Sequence, residues 1–202
     1  MPPDDVLALI RSRRSLRRYT SQPVPAAVLE RLLTAAVWAP SAHNRQPWRW
    51  VTVTAPEARQ RLARAMDEQL RADRLADGDA PEAVEADAAR SYARISGAPV
   101  VLVVCLALDD MDVYPDARRQ NAEFLMVVQS VAMSVQNLLL AAHSEGLGAC
   151  WLCAPLFCAA VVLGALDLPG DWQPQALVTL GYPASAGKPA VRRPLADVVV
   201  AR

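Results

Sequence analysis

The run Pro99-Val-Val-Leu-Val-Val-Cys-Leu106 is apolar almost without interruption. It constrains the fold more than any other stretch. A strand with no polar side must be covered on both faces, so it belongs at the centre of a sheet with other structure packed above and below it. The surrounding pattern supplies that cover. Asp4 is placed to cap a short helix carrying Val6, Leu7, Leu9 and Ile10. Pro25 opens a second helix, whose residues Val28, Leu29, Leu32, Leu33, Ala36 and Val37 form one apolar face before Pro40 stops it. Trp48 to Thr54 alternates as a strand does.

A helix is predicted from Pro56 to about Leu70. The acidic stretch from Asp67 to Asp87, with Gly78 and Pro81, reads as a loop or lid, and Ala83 to Ile95 as another helix. Asp109 to Asp116 is a loop, and Arg119 to Ser144 is the longest helix. Strands are expected around Ala149–Cys153 and Gln175–Leu180, with a short helix Cys158–Leu166 between them. No internal repeat occurs. The chain of 202 residues forms one domain, 1–202, an α+β or α/β sandwich around one mixed sheet.

The basic and acidic side chains balance at 21 each, which argues against a general nucleic-acid binder. The balance is not local, since residues 1–50 are strongly basic. A basic patch on a neutral chain suits a small anionic ligand. The segment Arg11-Ser12-Arg13-Arg14-Ser15-Leu16-Arg17-Arg18 is its densest part, and its other reading is a solvated charged turn. Met1-Pro-Pro-Asp-Asp has no basic leader before an apolar run, so a cytoplasmic protein is expected. Phe124 to Ala142 is broken by Gln129, Ser130, Ser134, Gln136 and Asn137, which fits a buried core helix and no membrane span.

Between helix and strand lies Trp38-Ala39-Pro40-Ser41-Ala42-His43-Asn44-Arg45-Gln46-Pro47-Trp48, a loop dense in polar donors between apolar anchors. Ordering so many side chains is costly unless the loop holds something. With the arginine segment, it points to a phosphorylated planar cofactor. Cys150-Trp-Leu-Cys153, Cys158 and His143 admit two readings: inert core thiols, or a redox or zinc site. No strand–GxGxxG–helix unit for a dinucleotide is present.

These residues resemble the nitroreductase family of flavin enzymes. Arg13-Arg14-Ser15-Leu16-Arg17, Ala39-Pro40-Ser41 with Asn44-Arg45-Gln46-Pro47-Trp48, and Gly146-Leu-Gly148 follow the family's order and spacing over almost the whole chain. A narrower likeness is to the flavin domain at the C-terminus of bacterial coenzyme F420:γ-glutamyl ligases. It rests on Gly146 to Phe157, Leu168-Pro169, Asp171-Trp172 with Pro174, and Leu177 to Pro183. The ligase part is not carried over.

The resemblance implies an α+β fold, a nitroreductase-like mixed sheet flanked by helices, in an interlocked homodimer with FMN at the interface. The long helix would be its dimerisation helix. Arg13, Arg14 and Ser15 would take the phosphate or ribityl end, with Arg192 or Arg193 as a C-terminal phosphate arginine. Rigid guanidinium forks suit oxyanions. Pro40, Ser41, Ala42 and Asn44 would meet the ring from the second subunit. Ser91 and Arg94 would hold its pyrimidine edge, Arg94 stabilising the reduced anion. Cys153 and Ala154 would offer backbone N–H groups, where relatives often carry Glu-Gly. Gly148 would allow close approach to the cofactor. His43 is a substrate contact or a structural histidine.

Catalysis would need no protein nucleophile, because the flavin N5 carries the hydride. The expected reaction is reduction of a dehydro-F420 precursor in coenzyme F420 biosynthesis, with NAD(P)H or reduced F420 as donor. Two alternatives remain open: a broad-specificity NAD(P)H-dependent nitro/quinone reductase, and a non-catalytic FMN- or F420-binding module assisting a glutamate ligase. The partners implied are a second copy of the chain and a small-molecule substrate.

Overall fold

The structure, a computed structural model, describes residues 2–202. Among these residues six α-helices, α1 (Pro3–Ser12), α2 (Ala26–Val37), α3 (Pro56–Ala76), α4 (Pro81–Ser96), α5 (Ala117–Ser144) and α6 (Ala159–Ala165), surround four strands. The strands are β1 (Trp48–Val53), β2 (Val100–Leu106), β3 (Gly148–Leu152) and β4 (Gln173–Gly181), in the order β1-β2-β4-β3. All three strand pairings are antiparallel. The parallel component of the sheet is a single bridge, Ser15 to Ala149, on its β3 edge.

Every residue of β2 is buried, as its composition predicts. Its alternation sorts two cores. Val100, Leu102, Val104 and Leu106 pack with Ala176, Val178 and Leu180 of β4 against α2 and α5. Val101, Val103 and Cys105 pack on the other face with Leu62, Met66 and Ile95 of α3 and α4 and Val162 of α6. The result is a helix–sheet–helix sandwich.

Helix α5 spans 28 residues, about 42 Å at the usual rise. It is long and apolar enough to cross a bilayer, yet Val127, Val131, Val135, Leu138 and Ala142 form a stripe buried on the sheet. Its polar interruptions tie it to neighbours. Ser134 Oγ donates to Ala36 O at 2.9 Å, and Asn137 Nδ2 to Ala35 O at 3.1 Å.

Two expectations are corrected. Asp4 does not cap α1. Pro2 stands at the cap, while Asp4 and Asp5 lie in the first turn, where their charge suits the helix dipole. The acidic stretch 67–87 is no lid but a helical hairpin. Helix α3 runs on to Ala76 and α4 begins at Pro81, with Gly78 turning the chain at φ +84°. Arginines at helical spacing neutralise the acids. Arg71 pairs with Asp67 and, at 2.8 Å, with Glu85; Arg74 pairs with Asp87 and, at 2.6 Å, with Asp79.

Candidate functional site

The arginine segment leaves α1 at Arg13, whose ψ of 135° turns the chain from helix to extended backbone. From there it lies along the sheet edge. Leu16 N donates to Ala149 O at 3.0 Å, and Thr20 N to Tyr182 O at 2.8 Å. The Tyr19 hydroxyl locks the middle of the segment, bonding Leu16 O at 2.6 Å, Thr179 O at 2.9 Å and Thr179 Oγ1 at 2.8 Å. Burial pushes that phenol well above its ordinary pKa, so it stays a donor. Gly148 packs here too. A Cβ on it would sit 3.0 Å from Leu16 Cβ, so its smallness admits the arginine segment.

A cavity of about 390 Å³ opens on this segment, lined by Arg13, Arg14, Ser15, Arg17, Arg18, Lys188 and Arg192 among others. A second, of about 590 Å³, shares Arg13, Arg14 and Arg192 and adds Arg11 and Gln136. No carboxylate lines either, and among the described residues Arg13, Arg14, Arg17 and Arg192 make no ion pair. Cations gathered without counter-charges around a concavity form a ready anion site. His143 borders it. Its Nε2 lies 2.8 Å from Ser12 Oγ, and burial together with Arg13 and Arg14 pushes its pKa down.

Arg94 lies in the last turn of α4, exposed, and lines neither cavity. Burial pushes the Cys150 thiol up in pKa, opposed by the charges of Arg17, Arg94 and Arg13. Ser91 stands one turn earlier on α4, half-buried. Beyond β3, Cys153 and Ala154 open a short 3-10 turn over Ala154–Phe157. Their amides donate to no turn or loop carbonyl among the described residues, and Pro155 has no N–H to give.

The other half of the expected site is elsewhere in the chain. The loop after α2 is pinned to α5 and to the segment after β2. Ala42 N donates to Ser130 Oγ at 3.2 Å, and Arg45 Nη2 meets Asp112 Oδ1 at 2.7 Å. Ser41 Oγ accepts from Gln46 N at 3.0 Å. His43, Asn44 and Gln46 all have positive φ, between 51° and 54°. Such backbone costs roughly 1 kcal/mol or more per residue and persists where surrounding contacts impose it. The His43 and Asn44 side chains are exposed. Pro40, Ser41, Ala42 and Asn44 line neither cationic cavity. The loop meets α5 at Ser130 and the arginine segment meets it at Gln136 and His143, at least about 9 Å further along the axis.

The structure therefore brings together Arg13, Arg14, Ser15 and Arg192, and leaves Arg94 and Arg193 outside the cavity lining. Arg17 and Arg18 belong to the same cluster, and their place in the arginine run signalled it. Lys188 carried no signal, since only the fold returns the tail to this edge. Cys150 is buried and Cys153 exposed, with Trp151 Nε1 donating to Cys153 Sγ at 3.1 Å. Among the described residues, no three His, Cys, Asp or Glu side chains converge as a metal requires.

Fold and site together define an α+β sandwich with a cationic cleft at the β3 edge of its sheet. The family model for the nitroreductase family matches residues 10–182, and the chain belongs to that family. A protein named NADH dehydrogenase from Thermus thermophilus is 31% identical over 226 residues, covering 100% of this chain and 98% of that protein. A 5,6-dimethylbenzimidazole synthase from Rhodospirillum rubrum is 31% identical over 190 residues, covering 89% of this chain and 82% of that protein. A Desulfovibrio desulfuricans protein assigned as a nitroreductase and solved with FMN has 30% identity and a TM-score of 0.75. That alignment covers 100% of this chain and 98% of the other.

Proposed function

We propose that this chain is an FMN-dependent oxidoreductase that uses a nicotinamide donor to reduce small flat acceptors such as nitroaromatics and quinones. The observation that carries this reading is the carboxylate-free cleft of Arg13, Arg14, Ser15 and Arg192. Phosphate suits the first four, because guanidinium forks and a hydroxyl satisfy its oxygens while water is displaced. Arg94 with Ser91 would take the polar edge of the ring, holding positive charge where electron density rises on reduction. The free amides of Cys153 and Ala154 would serve as further donors. When bound, FMN supplies the two-electron redox chemistry, so the protein needs to bind, orient and exclude water.

Two copies would complete each site. Pro40, Ser41, Ala42 and Asn44 are held away from the chain's own cleft, which fits a loop offered to a partner's cofactor. Apolar surface is available for that association. Helix α1 buries no residue and exposes Val6, Leu7 and Ile10, Trp38 is 82% exposed and Phe157 83%, and the tail exposes Val191, Leu195 and Val200. We read the protein as cytoplasmic.

The acceptor and donor follow the relatives, among them an NADH dehydrogenase and the FMN-bound protein assigned as a nitroreductase. They support this alternative better than reduction of an F420 precursor, which rests on the Gly146–Phe157, Leu168–Pro174 and Leu177–Pro183 motifs. The visible spectrum of the purified protein comes first, with a two-banded flavin spectrum expected. NADH oxidation with menadione and with nitrofurazone then tests the reaction. Turnover of a dehydro-F420 precursor alone would overturn the acceptor class, and failure to bind added FMN would overturn the whole reading.

A further inference from the structure

Between the 108–113 segment and the first turns of α5 lies a separate cavity of about 550 Å³, within the size range of small-molecule pockets. Its wall is mostly apolar: Leu108, Met111, Val113 and Phe124. Two carboxylates also line it, and their situations differ. Asp112 is neutralised by Arg45, 2.7 Å away. Glu123 is 2% exposed; its Oε1 accepts the Asp112 N–H at 3.3 Å, and its Oε2 has no hydrogen-bond partner among the described residues. The neighbouring Arg119 is engaged with Asp116 and covers the Tyr114 ring. A carboxylate removed from water with one oxygen unmatched is costly, and an N–H donor placed against it recovers that cost. The apolar wall favours a compact hydrophobic body behind the donor.

We propose that this cavity is a second small-molecule site, taking an aromatic or similarly compact apolar compound whose cationic or N–H-donating head meets Glu123. The site adjoins the Pro40–Asn44 loop through Arg45 and Asp112. It would therefore select among acceptors by charge, a consequence that rests on the FMN reductase reading above, whereas the binding itself does not.

The probe is benzamidine, a planar aromatic cation, titrated calorimetrically into the protein as purified, with benzoate and benzyl alcohol as shape-matched controls. Benzamidine is expected to bind at least tenfold more tightly than benzyl alcohol, and benzoate not at all. Glu123→Gln keeps the acceptor for Asp112 N–H and should weaken benzamidine at least tenfold while leaving benzyl alcohol binding unchanged and the melting temperature no lower, since a buried charge is removed. If that variant does not fold, the wild-type contrast between benzamidine and benzoate decides. Equal affinity for the two, no benzamidine binding, or unchanged binding by a folded Glu123→Gln protein overturns the proposal. The flavin spectrum of the same samples separates the failures. Flavin without benzamidine binding removes this site alone, and benzamidine binding by a protein unable to take FMN removes the reductase reading alone.

Discussion

His143 Nε2 and Ser12 Oγ, 131 positions apart in the chain, meet at 2.8 Å and join the last turn of α5 to the end of α1. The contact fixes the helix end from which Arg13 enters the cationic cleft. Burial and the two neighbouring arginines favour neutral imidazole in the folded state. Because the folded pKa is lowered below the ordinary 6.5, the unfolded chain takes up this proton first as pH falls. The contribution to stability is therefore full above pH 6.5 and is lost as pH drops below it toward the folded value. Melting temperatures of the apo-protein between pH 5 and 8 should fall on the acid side of 6.5, and His143→Gln should flatten that limb. Equal acid limbs in both proteins would refute the assignment.

Tyr19→Phe removes a hydroxyl bonded to two carbonyls and one side chain. The loss should be about 1–3 kcal/mol, since the single hydroxyl proton shared by Leu16 O and Thr179 O is lost in a partly buried setting. In a chain this long, that lowers Tm by roughly 2–4 °C per kcal/mol. Calorimetry checks the stability, and FMN titration should show weaker binding because Tyr19 anchors Leu16.

Arg13→Ala should weaken FMN by about 10- to 100-fold if the guanidinium makes a charge-assisted bond to phosphate. Arg193→Ala, outside the cavity lining, should change affinity less than threefold. Fluorescence titration of both variants separates a phosphate site from a merely basic surface.

Gly148→Ala and Gly164→Ala form a matched pair. The first forces a methyl to within 3.0 Å of Leu16 Cβ, while the second, on α6, meets nothing within 4 Å. The expectation is a loss of about 1–3 kcal/mol for Gly148→Ala from overpacking. Gly164→Ala should gain about 0.5–1 kcal/mol, from lower unfolded-chain entropy. Chemical denaturation measures both.

Much of the architecture was legible because it is written locally. The apolar run of β2 and the periodic stripe of α5 each declare their own burial, and both appear within a residue or two of the expected limits. The hairpin of α3 and α4 is hidden in the sequence because its acids are neutralised by Arg71 and Arg74, whose partners lie both one turn along and across the turn. The arginine run announced an anion cleft, but Lys188 joins it only through folding of the tail. Glu123 is one more position in the helical pattern of α5. What marks it is a missing partner in space, which no sequence displays.

The side-chain alternation of β2 has a consequence for how the molecule comes apart. Val103 and Val104 are neighbours in sequence yet belong to different cores. Neither helical layer can detach without exposing one face of the same strand, so the two layers lack separate melting transitions. Amide exchange in β2 then reports the global opening reaction, and a methyl removed from either side is felt by the helices on both.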